Sequence, residues 1–190
     1  FALNQSKSKW VHTKEKSLYA RKVGIVGFGS IGSTIARMLS GFNCEVIGFT
    51  KSGRDKTKPI SELDSHLPNL DVVILILPLT NESKKLFDAR RLSLLKDGAL
   101  LVNVARGPIV DSEALLNELK LKRIYAALDV TDPEPLPENH PLWKAPNLFI
   151  SPHVGGNTSA FESRARKLIE SQLEKFAAGL PLDNVVAVGK

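Results

Sequence analysis

Residues 22–32 read KVGIVGFGSIG, and this stretch decides the fold of the chain. Its first five residues form a short apolar run, and the glycines that follow give the pattern G-x-G-x-x-G. Between a strand and a helix, such a turn binds a dinucleotide pyrophosphate, because glycines permit a tight turn and close approach of the phosphates, which then face the helix N-terminus. A glycine turn that serves packing alone is the alternative. The residues predicted to form the pyrophosphate site are Gly27, Gly29, Ser30, Ile31 and Gly32.

Outward from this turn, predicted strands and helices alternate. Apolar runs predict strands at 22–26, 45–49, 72–77, 99–104, 124–128 and 148–151. Helical spacing or a capping residue predicts helices over 30–40, over 61–67, after Asp88, after Asp111, and after a capping box formed by Ser159 and Glu162. Alternation of this kind predicts a parallel sheet with helices on both faces. The predicted fold class is therefore α/β: a doubly wound parallel sheet, or Rossmann fold, with three layers α/β/α.

Length and composition suit one soluble domain. The 190 residues are predicted to form one dinucleotide-binding domain, with a leader segment over 1–20, a Rossmann core over 21–156 and a C-terminal helix over 157–178. A membrane span needs about 20 apolar residues, and the longest apolar run is far shorter. The single cysteine, Cys44, cannot form an internal disulfide, so we expect a reducing, cytoplasmic location.

The net charge of +6 raises the question of nucleic-acid binding. One group of cations lies in the leader, where a solvated segment is the simpler interpretation. No alternation of aromatic and basic residues accompanies it, so we expect no nucleic-acid partner, and no Cys/His spacing predicts a metal site. The cations of the leader group are Lys7, Lys9, Lys14, Lys16, Arg21 and Lys22, and a second group follows at Lys51, Arg54, Lys56 and Lys58.

The second cationic group bears on the choice of cofactor. In NAD-binding domains an Asp or Glu at the end of the second strand binds the adenosine ribose, but Thr50 stands there in this chain. A carboxylate would repel a 2′-phosphate, whereas hydroxyls and cations attract one. NADP(H) is therefore favoured, and NAD(H) stays possible if the segment is only an exposed basic loop. The predicted contacts are Thr50, Lys51, Ser52 and Arg54.

Four ordered segments follow the later strands. They read LPLT at 77–80, NVARG at 103–107, LDV at 128–130 with PEPLP at 133–137, and SPHVGG at 151–156. Together they resemble the D-isomer-specific 2-hydroxyacid dehydrogenase family. The most similar branch is the glyoxylate/hydroxypyruvate reductases, which also lack an acid where Thr50 stands. The resemblance implies cofactor contacts from Leu77, Pro78, Thr80, Val104, Ala105, Asp129 and Gly155.

Three side chains in these segments supply what the reduction of a 2-ketoacid needs. The Arg106 guanidinium can hold a carboxylate bidentately, and His153 can protonate the carbonyl oxygen as imidazolium. Glu134 can bond the other ring nitrogen and favour the protonated ring. Taken singly, each side chain has a structural explanation: Arg106 in a turn, Glu134 as a solvated carboxylate, and His153 in a turn. The resemblance assigns the three residues these same catalytic roles.

The resemblance also implies the surroundings of this domain. Family members carry a separate flavodoxin-like substrate domain, which we expect to be absent from this chain, and typically form homodimers through the cofactor domain. The expected activity is NAD(P)-dependent reduction of a small 2-ketoacid, of the glyoxylate or hydroxypyruvate type, to the D-2-hydroxyacid. Two alternatives stay open: a redox-sensing interaction protein similar to the C-terminal-binding-protein corepressors, and a catalytically silent nucleotide-binding module.

Overall fold

Seven parallel strands form one sheet. The computed structural model describes residues 2–12, 16–54 and 56–185. The sheet order is β3-β2-β1-β4-β5-β6-β7, and in register Val26 of β1 lies opposite both Phe49 and Leu75. The strands are β1 (Lys22–Val26), β2 (Glu45–Thr50), β3 (Lys58–Pro59), β4 (Val72–Leu75), β5 (Leu100–Asn103), β6 (Tyr125–Leu128) and β7 (Leu148–Ile150).

Helices occupy most connections between the strands. Two helix starts were predicted from their caps and are confirmed: Asp88 accepts a hydrogen bond from the Arg91 N–H at 2.9 Å, and Asp111 accepts one from the Ala114 N–H at 3.1 Å. The α-helices are α1 (Ala2–Gln5), α2 (Ser30–Leu39), α3 (Leu63–His66), α4 (Ala89–Leu94), α5 (Ser112–Lys120) and α6 (Phe161–Ala177). Short 3₁₀ turns lie at Ser40–Phe42, Ile60–Glu62, Leu67–Asn69, Gly107–Ile109 and Pro141–Lys144.

The strand order reverses direction between β1 and β4. From β1 the chain moves outward through β2 to β3, and it then returns to β4 and moves the other way to β7. Because crossovers between parallel strands are right-handed, the two directions place their helices on opposite faces of the sheet. The predicted doubly wound α/β fold is therefore confirmed, and its switch point lies between β1 and β4.

The core follows the sheet. Val23 and Ile25 of β1 are fully buried, as are Phe49 of β2 and Leu101 of β5. Crossover helices add their apolar sides to the same core, such as Leu115 and Leu119 of α5. The carboxyl ends of the central strands are thus held on a rigid base, and the loops that follow them start from fixed positions.

Several predicted strands are shorter in the structure, such as 72–77, which is Val72–Leu75, and 99–104, which is Leu100–Asn103. Three further differences concern whole elements or caps. The two-residue strand β3 was not predicted, because Lys58–Pro59 is too short to show a pattern. The predicted helix over 61–67 is one turn of α-helix between two 3₁₀ turns, which fits the presence of Pro68. The predicted capping box at Ser159 is wrong: α6 begins at Phe161, so Ala160 occupies the N-cap position, and Ser159 lies one residue too early to cap it.

The chain divides into two compact units, Phe1–Ser151 and Pro152–Lys190. The predicted leader is not wholly separate from the first unit, because the Lys16 ammonium donates to the Gly98 carbonyl at 2.9 Å and the Cys44 thiol donates to the Leu18 carbonyl at 3.2 Å. Lys14, one of the leader cations, lies outside the described residues. Within the described part of the chain, no helix combines the length and the apolar character needed to cross a membrane.

Candidate active site

A crevice of about 450 Å³ opens at the carboxyl edge of the sheet, at the switch point. The loops after β1, β2 and β4 form its walls, which is where doubly wound sheets bind ligands. We call it the switch-point crevice. Its lining residues are Val26, Gly27, Phe28, Gly29, Phe49, Thr50, Lys51, Arg54, Ile60, Ile76, Leu77, Pro78, Thr80, Glu82, Ser83 and Leu86.

The glycine turn has the shape that a pyrophosphate needs. Gly27 has a φ of 98°, and a Cβ there would overlap the Ile76 carbonyl. A Cβ at Gly32 would overlap the Gly27 carbonyl, so this glycine allows α2 to approach β1. At Gly29, the N-cap residue of α2, an added Cβ would meet no heavy atom of the described residues within 4 Å beyond its chain neighbours. The space above Gly29 is open, as a cradle for phosphates requires.

Opposite charges face each other across the switch-point crevice. The Lys51 ammonium, after β2, lies 3.7 Å from the carboxylate of Glu82, after β4, and both side chains are exposed. A hydrogen bond from Thr80, the backbone N–H of Glu82 and the charge of Lys51 hold the pKa of Glu82 below its usual value. Glu82 is thus an ionised carboxylate at the rim where cations were predicted. The sequence carried no signal for it, because this residue reaches Lys51 only through the fold.

The loop after β4 is organised by a buried serine. Only 6% of Ser83 is exposed, and its hydroxyl donates to the Pro78 carbonyl at 2.8 Å and accepts the Thr80 N–H at 2.7 Å. These bonds hold Pro78 and Thr80, two of the predicted cofactor contacts, against the crevice. Ser83 itself was not predicted, because a serine in a polar segment is indistinguishable from a solvated loop residue.

Buried polar side chains recur along the same edge. Among the described residues, three polar side chains are buried, and all three follow or end central strands: Ser83 after β4, Asn103 at the end of β5, and Thr131 after β6. The Asn103 amide accepts the Ala105 N–H at 3.1 Å and donates to the Arg106 carbonyl at 3.0 Å. Since buried polar groups require partners, these side chains fix the loops at this edge.

Arg106 leaves the end of β5 from this fixed turn. Its guanidinium is exposed and donates to the Ala105 carbonyl at 2.6 Å. A guanidinium carries five N–H donors, so this bond leaves donors for a carboxylate. A structural role of Arg106 in the turn is thus compatible with a catalytic role, because the bond to one carbonyl does not occupy all the N–H donors of the guanidinium.

The loop after β6 carries two further predicted residues. Asp129 accepts a hydrogen bond from the Ser151 hydroxyl at 2.6 Å, which links the carboxyl ends of β6 and β7. Thr131 donates to the Pro133 carbonyl at 2.8 Å and shapes the segment that carries the exposed Glu134. Ser151 was not among the predicted site residues, although it directly follows the last strand.

His153 and Gly155 belong to the second unit. His153 has a φ of 52°, in the left-handed region that few residues other than glycine adopt. Eight other non-glycine residues in the described part of the chain also have a positive φ, so this conformation does not set His153 apart.

The switch-point crevice brings together part of the predicted set. Those that line it are Gly27, Gly29, Thr50, Lys51, Arg54, Leu77, Pro78 and Thr80. The other predicted residues of the first unit lie outside this lining: Ser30, Ile31, Gly32, Ser52, Val104, Ala105, Arg106, Asp129 and Glu134. Lining residues that the sequence did not single out include the apolar Phe49, Ile60, Ile76 and Leu86.

A second cavity, of about 590 Å³, lies at the opposite edge of the sheet. Three of its charged groups pair, because Asp71 contacts Arg21 at 3.1 Å and Lys96 at 2.7 Å. Burial raises the pKa of Asp71, but hydrogen bonds from Lys96, the Lys22 N–H and Arg21 outweigh it and hold this pKa below its usual value. The amino ends of the strands therefore carry an ion-pair network centred on Asp71. Within residues 2–12, 16–54 and 56–185, no cluster of His, Cys, Asp and Glu side chains suits a metal ion.

Comparison with protein families gives a match over most of the chain. The family described as "D-isomer specific 2-hydroxyacid dehydrogenase, NAD binding domain" matches residues 2–155. A glyoxylate reductase from Thermofilum pendens is 37% identical over 163 residues, which are 82% of this chain and 48% of that protein. This chain spans about half the length of the curated relatives it matches.

Solved structures show the same similarity. A D-isomer specific 2-hydroxyacid dehydrogenase from Xanthobacter autotrophicus, in complex with NADPH, is 31% identical with a TM-score of 0.83, covering 97% of this chain and 78% of that one. An NADPH-dependent glyoxylate/hydroxypyruvate reductase from Sinorhizobium meliloti, in complex with NADP and sulfate, is 28% identical with a TM-score of 0.86, covering 98% of this chain and 61% of that one.

Proposed function

Because this chain belongs to the D-isomer specific 2-hydroxyacid dehydrogenase family, whose NAD-binding domain it matches, we propose that it binds NADP(H) in the switch-point crevice. The family assignment made from the four ordered segments is thereby confirmed. The observation that carries the proposal is the open space above Gly29, beside a crevice of about 450 Å³ at the switch point. Residues 21–156 would form the dinucleotide-binding core.

The preference for NADP(H) over NAD(H) rests on the rim of the crevice. Lys51 and Arg54 line the crevice after β2, at the position where NAD(H)-binding domains carry a carboxylate for the ribose. Because the Glu82 carboxylate lies 3.7 Å from Lys51 and offsets part of its charge, Arg54 would contribute most of the attraction to a 2′-phosphate. Two similar proteins have solved structures with NADPH or NADP, which supports the same preference. NAD(H) would bind more weakly, because it lacks the phosphate that these cations attract.

The whole protein would reduce a small 2-ketoacid, of the glyoxylate or hydroxypyruvate type, to the D-2-hydroxyacid. When bound, the nicotinamide supplies the hydride. Arg106 would hold the substrate carboxylate through guanidinium N–H donors, and His153 would donate a proton to the carbonyl oxygen as hydride adds to the carbon. Glu134 would bond the other nitrogen of the His153 ring and favour its protonated form.

Two further features belong to the proposal. We expect a homodimer formed through the cofactor domain, to which exposed apolar side chains such as Trp143, 50% exposed, would contribute. A cytoplasmic location fits the single cysteine, Cys44, since a chain with one thiol gains nothing from an oxidising compartment.

Rates measured against pH test the assignment of the acid–base pair. Reduction of glyoxylate and of hydroxypyruvate by NADPH is followed with the full-length gene product and its Glu134→Gln and His153→Ala variants. Reduction needs protonated His153, so the rate of Glu134→Gln should fall off at lower pH than that of the parent. His153→Ala should lose about 10²- to 10⁴-fold in kcat, the usual contribution of a general acid.

Glu138 is an exposed carboxylate in the same proline-rich loop. Its variant Glu138→Gln is the matched control and should keep the dependence of the rate on pH that the parent shows. NADPH affinity should be preserved in all three variants, because none of these side chains lines the crevice. A Glu134→Gln profile that superimposes on the parent's would remove Glu134 from the mechanism.

A further inference from the structure

We infer that Thr57 is a positioning residue that sets the selectivity between NADPH and NADH. The inference rests on the proposed function, and it concerns residues 51–57, the loop between β2 and β3 that holds the rim cations. Residue 55 lies outside the described part of this loop. Thr57 does not line the switch-point crevice, so any effect on cofactor choice must act through its neighbours.

A chain of hydrogen bonds runs through the loop. The hydroxyls of Thr50 and Thr57 lie 2.8 Å apart. Thr50 Oγ1 accepts the Gly53 N–H at 3.1 Å and, less closely, the Arg54 N–H at 3.4 Å. On the other side, both the hydroxyl and the N–H of Thr57 donate to the Arg54 carbonyl.

The direction of each hydrogen bond follows from the number of protons. A carbonyl can only accept, so the single hydroxyl proton of Thr57 goes to the Arg54 carbonyl. In the bond between the two hydroxyls, Thr50 must therefore be the donor. Its one proton is then used and its oxygen already accepts N–H donors. The Thr50 hydroxyl thus has no proton left to donate to a 2′-phosphate, and its part is to shape the loop.

These hydrogen bonds fix the backbone of Arg54. Its backbone is held at the N–H by Thr50 and at the carbonyl by Thr57, so the origin of its side chain is fixed at the rim of the crevice. Gly53, with a φ of 71° and no room for a Cβ beside Pro59, fixes the preceding turn. Because an anion site gains affinity when its cations are positioned before binding, loss of the Thr57 hydroxyl should weaken phosphate binding selectively.

The test compares hydroxyl-free and hydroxyl-bearing variants of Thr57. Dissociation constants for NADPH and NADH are measured by calorimetric titration of this chain. Thr57→Val keeps the shape of the side chain and removes the hydroxyl, so NADPH affinity should fall about five- to tenfold, while NADH affinity changes less than about twofold. Thr57→Ser keeps the hydroxyl and should restore the parent ratio. Thr57→Ala should behave as Thr57→Val does, which guards against misfolding of one variant.

Thr158→Val, at an exposed threonine of the second unit, is the matched control and should keep the parent ratio. An unchanged ratio of the two constants in Thr57→Val and Thr57→Ala would overturn the inference, whether both affinities are kept or both fall equally. Failure of Thr57→Ser to restore the ratio would also overturn it. If the parent chain binds neither nucleotide, the proposed function fails first, and the inference fails with it.

Discussion

At the scale of single residues, the three glycines of the turn serve different physical purposes. Gly27 and Gly32 are required by the protein itself, because a Cβ at either position would overlap a backbone carbonyl of the first unit. Gly29 is required by nothing in the described structure, since a Cβ there would meet open space. The folded chain therefore requires glycine at positions 27 and 32 but not at position 29, and glycine at position 29 points to a ligand that approaches the turn there.

This difference predicts opposite outcomes for two substitutions. Gly29→Val should abolish binding of NADPH and NADH by blocking the approach of the pyrophosphate, while the free energy of unfolding changes by less than about 1 kcal/mol. Gly32→Ala should lower the free energy of unfolding by about 1–3 kcal/mol, because it forces α2 away from β1. Titration and chemical denaturation of both variants measure these effects. Parent-like nucleotide affinity in a folded Gly29→Val variant would refute the assigned role.

At the scale of elements, local patterns were predictable and longer-range contacts were not. Asp88 and Asp111 were predicted as caps because a capping side chain bonds a backbone N–H three residues ahead, within one stretch of sequence. Ser83 and Asn103 also hold their loops by side-chain bonds to the backbone. Ser83 lies in a polar segment without periodicity, and Asn103 ends the predicted strand 99–104, but neither position indicated which backbone groups the side chain would bond. The capping box predicted before α6 is wrong because the helix begins at Phe161, one residue later than a cap at Ser159 requires.

The cap of α5 makes a prediction about stability and pH. A hydrogen bond from Lys85, at 2.9 Å, and the Ala114 N–H hold the pKa of Asp111 below its usual value. A carboxyl with a depressed folded-state pKa stabilises the fold above its unfolded pKa of about 3.9, and this contribution is lost as pH falls through the lower folded value. Asp111→Ala should therefore lower the free energy of unfolding by about 1 kcal/mol at about pH 7.

Asp111→Asn separates the cap from the charge, because an asparagine caps a helix about as well as an aspartate. The loss of unfolding free energy in Asp111→Asn, relative to the parent, should be smaller than in Asp111→Ala. It should vanish as the pH falls through the lowered folded-state pKa of Asp111. Denaturation curves at several pH values provide the measurement. A deficit of Asp111→Asn that grows as the solution becomes more acidic would contradict the assigned ion pair with Lys85.

At the scale of the whole molecule, the alternation of strands and helices was sufficient to predict a doubly wound parallel sheet, but it did not predict the strand order. That order puts the switch point, where doubly wound sheets bind ligands, between β1 and β4. The sequence could not show that Glu82 faces Lys51, because loops after β2 and β4 meet only once the sheet is assembled. The strand β3 was missed for a similar reason: two residues carry no period, and only pairing with β2 defines them.

The most direct test of this account is calorimetric titration of the chain with NADPH and, separately, with NADH. We predict saturable binding of one nucleotide per chain, with NADPH bound more tightly, and a NADPH affinity that falls more steeply with added salt because exposed cations hold the 2′-phosphate. A folded chain that shows no saturable binding of either nucleotide would contradict the assignment of the switch-point crevice as a dinucleotide site.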